Sequence, residues 1–148
     1  MVDSIIKKLP YTDPFLFVDN IETVSGNSIV GNYTFKRNES FYAGHFKNNP
    51  VTPGVILTEC CAQIGLACLG IYLLRKVEAN AQEMQIALSS SEMQYLLPVY
   101  PMETVTVTST KIYFRFNKLK CSVKMRNAQG AVVCTGILSG MLKEKPHE

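Results

Sequence analysis

The fold is decided by one run of twenty residues, VILTECCAQIGLACLGIYLL at positions 55–74, in which Glu59 is the only charged side chain. The run is long enough to cross a membrane, but Glu59 and Gln63 interrupt it and Gly65 and Gly70 dilute it. A carboxylate inside a bilayer is energetically expensive. We therefore predict a buried core helix over 55–74 and no membrane partner.

Strand-like segments flank this helix on both sides. Their aromatic and β-branched content, with apolar residues at alternate positions, is typical of antiparallel strands. The predicted strands are 15–22, 28–36, 84–95, 104–116, 120–126 and 131–142, with turns at 25–27 and 127–130 and a loop over 41–50. Because no second long helix is available to cover the sheet, the sheet must curl around the helix. The prediction is an α+β fold in one domain, 1–148.

Composition limits the classes of function. The chain has 148 residues, 47% of them hydrophobic, and a net charge of +3, which is too small to indicate a nucleic-acid partner. The five cysteines lie mostly in apolar stretches without CxxC spacing, so we interpret them as buried thiols in a reducing compartment. The first ten residues lack the apolar core of a signal peptide, which favours a cytoplasmic location. The cysteines are Cys60, Cys61, Cys68, Cys121 and Cys134.

The start of the helix is the first candidate for chemistry. Thr52 is predicted as the N-cap and Pro53 as a first-turn residue, which leaves the Gly54 amide without an intrahelical partner. A free amide at the positive end of a helix dipole could hold a ligand oxygen, as in an oxyanion hole. An ordinary capped helix is the alternative interpretation.

Glu59 and His45 are the candidate acid–base groups. Burial in an apolar helix would raise the pKa of Glu59, and Gln63, four residues on, could hydrogen-bond Glu59 or a ligand. A purely structural buried glutamate is the alternative. His45 lies in the 41–50 loop, whereas His147 lies in a charged tail and is predicted to be solvated. The histidine and cysteine spacing predicts no metal site, and neither a G-x-S-x-G motif nor a phosphate-binding loop is present.

Five motifs in fixed order resemble the FabZ-type 3-hydroxyacyl-acyl-carrier-protein dehydratases. They are LP (9–10), PFLFVD (14–19), FYAGHF (41–46), PVTPGV (50–55) and ECCAQ (59–63). The resemblance implies a hot-dog fold, in which a curved antiparallel sheet wraps a central helix. It also implies dimers with active sites at the subunit interface.

The resemblance further implies the roles of individual residues. His45 and Glu59 would be catalytic, and the Gly54 amide would hold the thioester carbonyl. Val55, Gln63 and Phe46 would complete the oxyanion and substrate-binding positions. No cofactor is implied. The implied partners are an acyl carrier protein with its phosphopantetheine-linked substrate, and a second subunit in a homodimer, a larger assembly or a heterodimer with a related hot-dog chain.

Several positions depart from the family pattern. They are Tyr11 and Thr12, Lys47 and Asn48, and Met102 and Glu103. These departures favour a specialised acyl chain, such as a polyene or another secondary metabolite, over the housekeeping fatty-acid series. Three functions stay open on the sequence: a dehydratase, a hot-dog thioesterase, and a non-catalytic partner subunit. Within the dehydratase hypothesis, Glu59 could protonate the leaving hydroxyl directly or through water, or it could only orient a His45 that moves both protons.

Overall fold

A computed structural model describes residues 2–75 and 84–144 of the chain. The helices are α1 (Val2–Lys7), α2 (Gly54–Ala62) and α3 (Leu69–Arg75). The strands are β1 (Asn20–Val24), β2 (Ser28–Thr34), β3 (Met84–Tyr95), β4 (Thr104–Arg115), β5 (Lys118–Arg126) and β6 (Val132–Glu144). A 3₁₀ turn (Ser40–Ala43) precedes α2, and a π-helical segment (Gln63–Cys68) joins α2 to α3. We call the continuous helix Gly54–Arg75 the central helix.

The strands form one sheet in the order β1-β2-β4-β5-β6-β3, and every neighbouring pair is antiparallel. The predicted α+β class, with one long helix against an antiparallel sheet, is confirmed. His147 lies outside the described residues, so its predicted exposure stays a prediction.

The central helix is the core of the molecule. It is apolar and long enough to span a membrane, but 78% of its most hydrophobic window is buried inside the fold. This is the environment of a core helix in a soluble protein, as predicted. All five cysteines are buried, three of them on this helix and the other two on β5 and β6.

The sheet contacts the central helix directly at Gly65. A Cβ there would lie 2.9 Å from Cγ1 of Val123 and 3.0 Å from Cβ of Ser109, so a larger residue would force the sheet away. The buried Ser109 hydroxyl also donates a hydrogen bond of 3.0 Å to the Gly65 carbonyl oxygen. Side chains that insert into the backbone ladder of a helix often accompany local departures from α geometry, and Gly65 lies within the π-helical segment.

The first predicted strand was placed too early. The prediction was 15–22, but β1 begins at Asn20. The backbone before it is bound by Gln63 of the central helix: the Phe17 amide donates to Gln63 Oε1 at 2.7 Å, and Gln63 Nε2 donates to the Phe15 carbonyl at 2.9 Å. Because a side chain satisfies these groups, this segment does not join the sheet. The short helix α1 was not predicted, and it packs Ile5 into the core.

β3 forms one edge of the sheet and hydrogen-bonds only to β6 among the described strands. The edge is 12 residues long, and Leu88 and Tyr95 on it are 47% and 49% exposed. Natural proteins usually cover or interrupt a long edge strand, because its free backbone groups can pair with another strand. The β3 edge is therefore a candidate surface for pairing with a second chain.

Candidate active site

His45 lies just after the 3₁₀ turn, in a loop that is bound to the approach to the central helix. The Val51 amide donates a hydrogen bond of 2.8 Å to the His45 carbonyl, and His45 Nδ1 lies 3.0 Å from the Val51 carbonyl oxygen. Since a carbonyl oxygen can only accept, Nδ1 carries the proton, and a neutral His45 ring presents an unprotonated Nε2. The exposed Phe46 ring stacks on the imidazole with 4.2 Å between ring centroids.

The prediction that Thr52 caps the central helix is wrong. The helix begins at Gly54, Pro53 occupies the N-cap position with φ −59° and ψ 140°, and no side chain caps the helix. The Thr52 hydroxyl lies 2.6 Å from the Tyr42 hydroxyl in a buried pair. The Thr52 hydroxyl therefore points toward the 3₁₀ turn. Its oxygen, which a helix cap would need, is bound to Tyr42 instead. This pair joins the His45 loop to the start of the helix.

The first two amides of the central helix are free. Within the described ranges, the N–H groups of Gly54 and Val55 donate no hydrogen bond, whereas Ile56 N–H is bound to the Pro53 carbonyl at 2.9 Å. A helix N-terminus carries partial positive charge, so these amides suit an anionic or polarised oxygen. A cavity of about 280 Å³ adjoins Gly54, between the helix start and the segment 95–98.

The Tyr95 ring covers one side of Gly54. A Cβ at position 54 would lie 3.2 Å from the nearest carbon of that ring. The Tyr95 hydroxyl is hydrogen-bonded to Thr58, one turn along the central helix. Glycine at position 54 therefore keeps the backbone amides accessible beside a fixed aromatic ring.

Glu59 lies half-buried on the central helix and is oriented by Gln63. Gln63 Nε2 donates a hydrogen bond of 3.0 Å to Glu59 Oε2. This is one of the two contacts that the four-residue spacing of Gln63 and Glu59 led us to expect. Burial raises the pKa of the Glu59 carboxyl above its ordinary value, and the hydrogen bond from Gln63 partly offsets this effect. The carboxyl lines a second cavity, of about 130 Å³, whose other walls are largely apolar.

The predicted site residues form two groups in one chain. In the first, His45 stacks on Phe46 and is bound to Val51, three residues before the free amide of Gly54; in the second, Gln63 is bound to Glu59. Among the described residues, no hydrogen bond or ion pair joins His45 to Glu59, and His45 does not line the Glu59 cavity.

Sequence reasoning missed two tyrosines at the site. Tyr42 and Tyr95 hold Thr52 and Thr58 through their hydroxyl groups, and the partners are 10 and 37 residues apart in sequence. Tyr42 lies within the FYAGHF motif, so its position beside His45 was a signal that it could support the loop. Nothing in the spacing of Tyr95 indicated its contact with Gly54.

The whole of this architecture falls within one known family. The FabA-like domain family matches residues 9–136. The fold and the family match together identify the chain as a hot-dog-fold protein. The chain belongs to the FabA-like family. Within that family it groups with the FabZ 3-hydroxyacyl-[acyl-carrier-protein] dehydratases, which are hydro-lyases.

Relatives from several bacteria support this placement. The chain is 37% identical over 115 residues to the FabZ dehydratase of Anaplasma marginale strain Florida, covering 76% of each chain. It is 30% identical over 149 residues to that of Ehrlichia chaffeensis, covering 97% of this chain and 95% of the relative. It is 31% identical over 142 residues to that of Herpetosiphon aurantiacus, covering 95% and 94%.

Solved structures share the fold at low sequence identity. The dehydratase heterocomplex ApeI:P from Xenorhabdus doucetiae has a TM-score of 0.78 at 16% identity, covering 95% of this chain and 91% of the other. A hypothetical thioesterase with coenzyme A from Streptococcus pneumoniae has a TM-score of 0.64 at 15% identity, covering 86% and 88%. These likenesses confirm the predicted hot-dog fold.

Proposed function

We propose that this chain removes water from a 3-hydroxyacyl thioester carried on acyl carrier protein and forms the trans-2-enoyl thioester. One observation carries the proposal: His45 Nδ1 is bound to the Val51 carbonyl, which leaves Nε2 free to act as a base on the loop that leads to the free amides at the helix start. Membership of the dehydratase family is consistent with this chemistry.

His45 acts as the base for the C2 proton. Nε2 accepts that proton, and the electron pair of the broken C–H bond moves toward the thioester carbonyl. The Val51 carbonyl holds the ring in one orientation and stabilises the imidazolium that forms, because it accepts the Nδ1 proton in a hydrogen bond.

The free amides at positions 54 and 55 hold the thioester oxygen. Enolate-like charge develops on this oxygen when the C2 proton leaves. Backbone donors that already point to the site stabilise such charge without reorganisation. The cavity beside Gly54 gives the thioester room to reach them.

Glu59 supplies the proton for the leaving hydroxyl. As the C2–C3 double bond forms and the C3–O bond breaks, the hydroxyl takes the Glu59 proton and departs as water. The raised pKa of Glu59 favours the protonated acid that this step needs. Gln63 donates both to Glu59 and to the Phe15 carbonyl, so we propose it as a positioning residue that acts through Glu59.

A second copy of the chain completes each site. Because His45 and Glu59 belong to separate groups in one chain, we propose that His45 of one subunit meets Glu59 of its partner. The β3 edge provides the surface, since two such edges can pair about a two-fold axis and extend the sheet across both subunits. A related hot-dog chain in place of the second copy is the alternative outcome.

Incubating the purified protein with a 3-hydroxyacyl thioester of acyl carrier protein tests the proposal. The expected product is the enoyl thioester, and the enoyl substrate should be hydrated in reverse. Free thiol without enoyl product would identify a thioesterase, and no turnover would identify a non-catalytic subunit. His45→Ala should abolish turnover and Glu59→Gln should lower it about 10²–10⁴-fold, while His147→Ala serves as the matched control. The cytoplasmic location and the specialised acyl chain stay predictions.

A further inference from the structure

Glu39 lies directly before the 3₁₀ turn that leads to His45, and its carboxylate takes no part in the chemistry proposed above. Each of its oxygens accepts a hydrogen bond: Oε1 from the Tyr33 hydroxyl at 2.7 Å, and Oε2 from the Lys36 amide at 2.8 Å. The Glu39 amide donates in turn to the Lys36 carbonyl at 3.2 Å. The Glu39 side chain therefore binds the start of the turn to the end of β2.

The Tyr33 hydroxyl is itself held by a cation. The Lys36 ammonium donates a hydrogen bond of 3.3 Å to the Tyr33 hydroxyl oxygen, and its nitrogen lies 4.4 Å from the centre of the Tyr33 ring. Asp19 lies 3.8 Å from the same ammonium. Burial, with the hydrogen bond to Glu39, raises the pKa of Tyr33 well above its usual range, so the hydroxyl stays protonated and donates to Glu39. A hydroxyl that accepts from a cation is polarised, which strengthens its bond to a carboxylate.

Backbone hydrogen bonds connect Glu39 to His45. The Glu39 carbonyl accepts from the Tyr42 amide at 3.1 Å, and the Phe41 carbonyl accepts from the His45 amide at 3.1 Å. On its other side, His45 is bound to Val51 through its own carbonyl and through Nδ1. The turn that begins after Glu39 therefore holds one side of the His45 backbone, and Val51 holds the other.

Packing contributes little to the position of the His45 loop. Every residue of 43–50 except His45 is exposed, and His45 itself is only partly buried. A Cβ built on Gly44 would have no neighbouring atom within 4 Å, so no side chain packs against the loop at that point. A segment with few buried apolar contacts opens locally at a low free energy. The hydrogen bonds at its two ends therefore decide where the imidazole points.

We propose that Tyr33 and Glu39 are positioning residues for His45: they hold the 3₁₀ turn so that Nδ1 faces the Val51 carbonyl and Nε2 faces the substrate. This inference rests on the dehydratase function proposed above. Without the bond between Tyr33 and Glu39, the turn and the loop adopt other conformations, and Nδ1 loses the acceptor that fixes its proton. The neutral ring then exchanges between two tautomers, of which only one leaves Nε2 able to accept the C2 proton.

The tautomer of His45 reports its position without turnover. The chain has two histidines, so a His147→Ala background leaves His45 as the single imidazole. In that background, ¹⁵N NMR of the labelled neutral ring should show the proton on Nδ1. Tyr33→Phe removes the donor, and Glu39→Gln leaves one oxygen where the two bonds need two, so each variant should show a mixture of both tautomers. An unchanged spectrum in both variants would overturn the proposal.

Steady-state kinetics separate positioning from stability. Tyr33→Phe keeps the ring that packs edge-on against Phe35, and Glu39→Gln keeps the length of the side chain. Each variant should lower kcat about ten- to a hundredfold, because a small displacement of the base from the reacting atom is costly. KM should stay close to that of the wild type, because the lost interaction is not one with the substrate. A kcat equal to that of the wild type in both variants would contradict the positioning role.

Two substitutions elsewhere on the sheet are the matched controls. Glu22 on β1 accepts a hydrogen bond from Asn32, and Tyr113 on β4 lies beside the Arg115 guanidinium. Glu22→Gln and Tyr113→Phe should keep both the wild-type kcat and the proton on Nδ1.

The two measurements together distinguish this inference from the proposed function. A lower kcat with an unchanged tautomer, or a changed tautomer with wild-type kcat, would overturn the positioning role of Tyr33 and Glu39. If the wild type forms no enoyl product but the tautomer changes in both variants as expected, the dehydratase function fails and the hold of Glu39 on His45 stands.

Discussion

Gln63 Nε2 donates a hydrogen bond of 3.0 Å to Glu59 Oε2, while the same fully buried amide group holds the backbone of Phe15 and Phe17. One side chain therefore fixes both the acid of the site and the segment that leads into β1. Because every polar atom of Gln63 is used in these contacts, its structural and positioning effects can be separated only by measuring different properties.

Gln63→Met should lower the free energy of unfolding by about 2–4 kcal/mol, because the Phe17 amide and the Phe15 carbonyl lose their partner. It should also raise the pKa of Glu59, since the hydrogen bond from Gln63 stabilises the carboxylate. Activity that needs protonated Glu59 should then persist to higher pH than in the wild type. Urea denaturation and the pH profile of kcat measure the two effects. A less stable variant with an unchanged pH profile would show that Gln63 is only structural.

Gly54→Pro tests the backbone amide itself. Proline lacks the N–H but is well tolerated at the first position of a helix, and Pro53 already has the extended conformation that must precede a proline. The loss of one oxyanion donor should lower kcat about 10²–10³-fold. Gly54→Ala is the control, because it brings a similar Cβ close to Tyr95 and keeps the amide. Equal losses in the two variants would mean that crowding against Tyr95, and not the amide, is responsible.

The Tyr42–Thr52 pair should couple the stability of the His45 loop to that of the helix start. Tyr42→Phe and Thr52→Val each leave one buried hydroxyl without its partner, so each should cost about 1–3 kcal/mol. The double variant should cost less than the two single variants together, because neither hydroxyl then remains. Urea denaturation of the wild type, the two single variants and the double variant gives the coupling free energy between the two hydroxyl groups. Strictly additive losses of stability would show that these groups do not interact.

Much of the fold follows from local sequence. The apolar run predicted the central helix to within one residue at each end, and β3 has the predicted bounds. The misplaced first strand and the wrong cap at Thr52 have one cause. In both places a polar group binds a side chain of another structural element, Gln63 for Phe15 and Phe17, and Tyr42 of the 3₁₀ turn for Thr52. Local propensity carries no information about such partners.

Less of the candidate site than of the fold could be predicted from the sequence. The types of residue at His45 and Glu59 suit acid–base chemistry, but their spacing does not say where they meet. The structure places them in different groups of the same chain, which is why the proposed mechanism requires a second subunit. No periodicity within one sequence can report a contact between two copies.

Mixing two inactive variants tests this requirement most directly. His45→Ala and Glu59→Gln proteins are combined in equal amounts, unfolded, refolded together, and assayed with a 3-hydroxyacyl thioester. Random pairing in a two-fold dimer yields one intact site in half of the dimers, so about one quarter of the wild-type activity should return. Recovery no greater than the sum of the two variants refolded separately would contradict a site built from His45 of one subunit and Glu59 of the other.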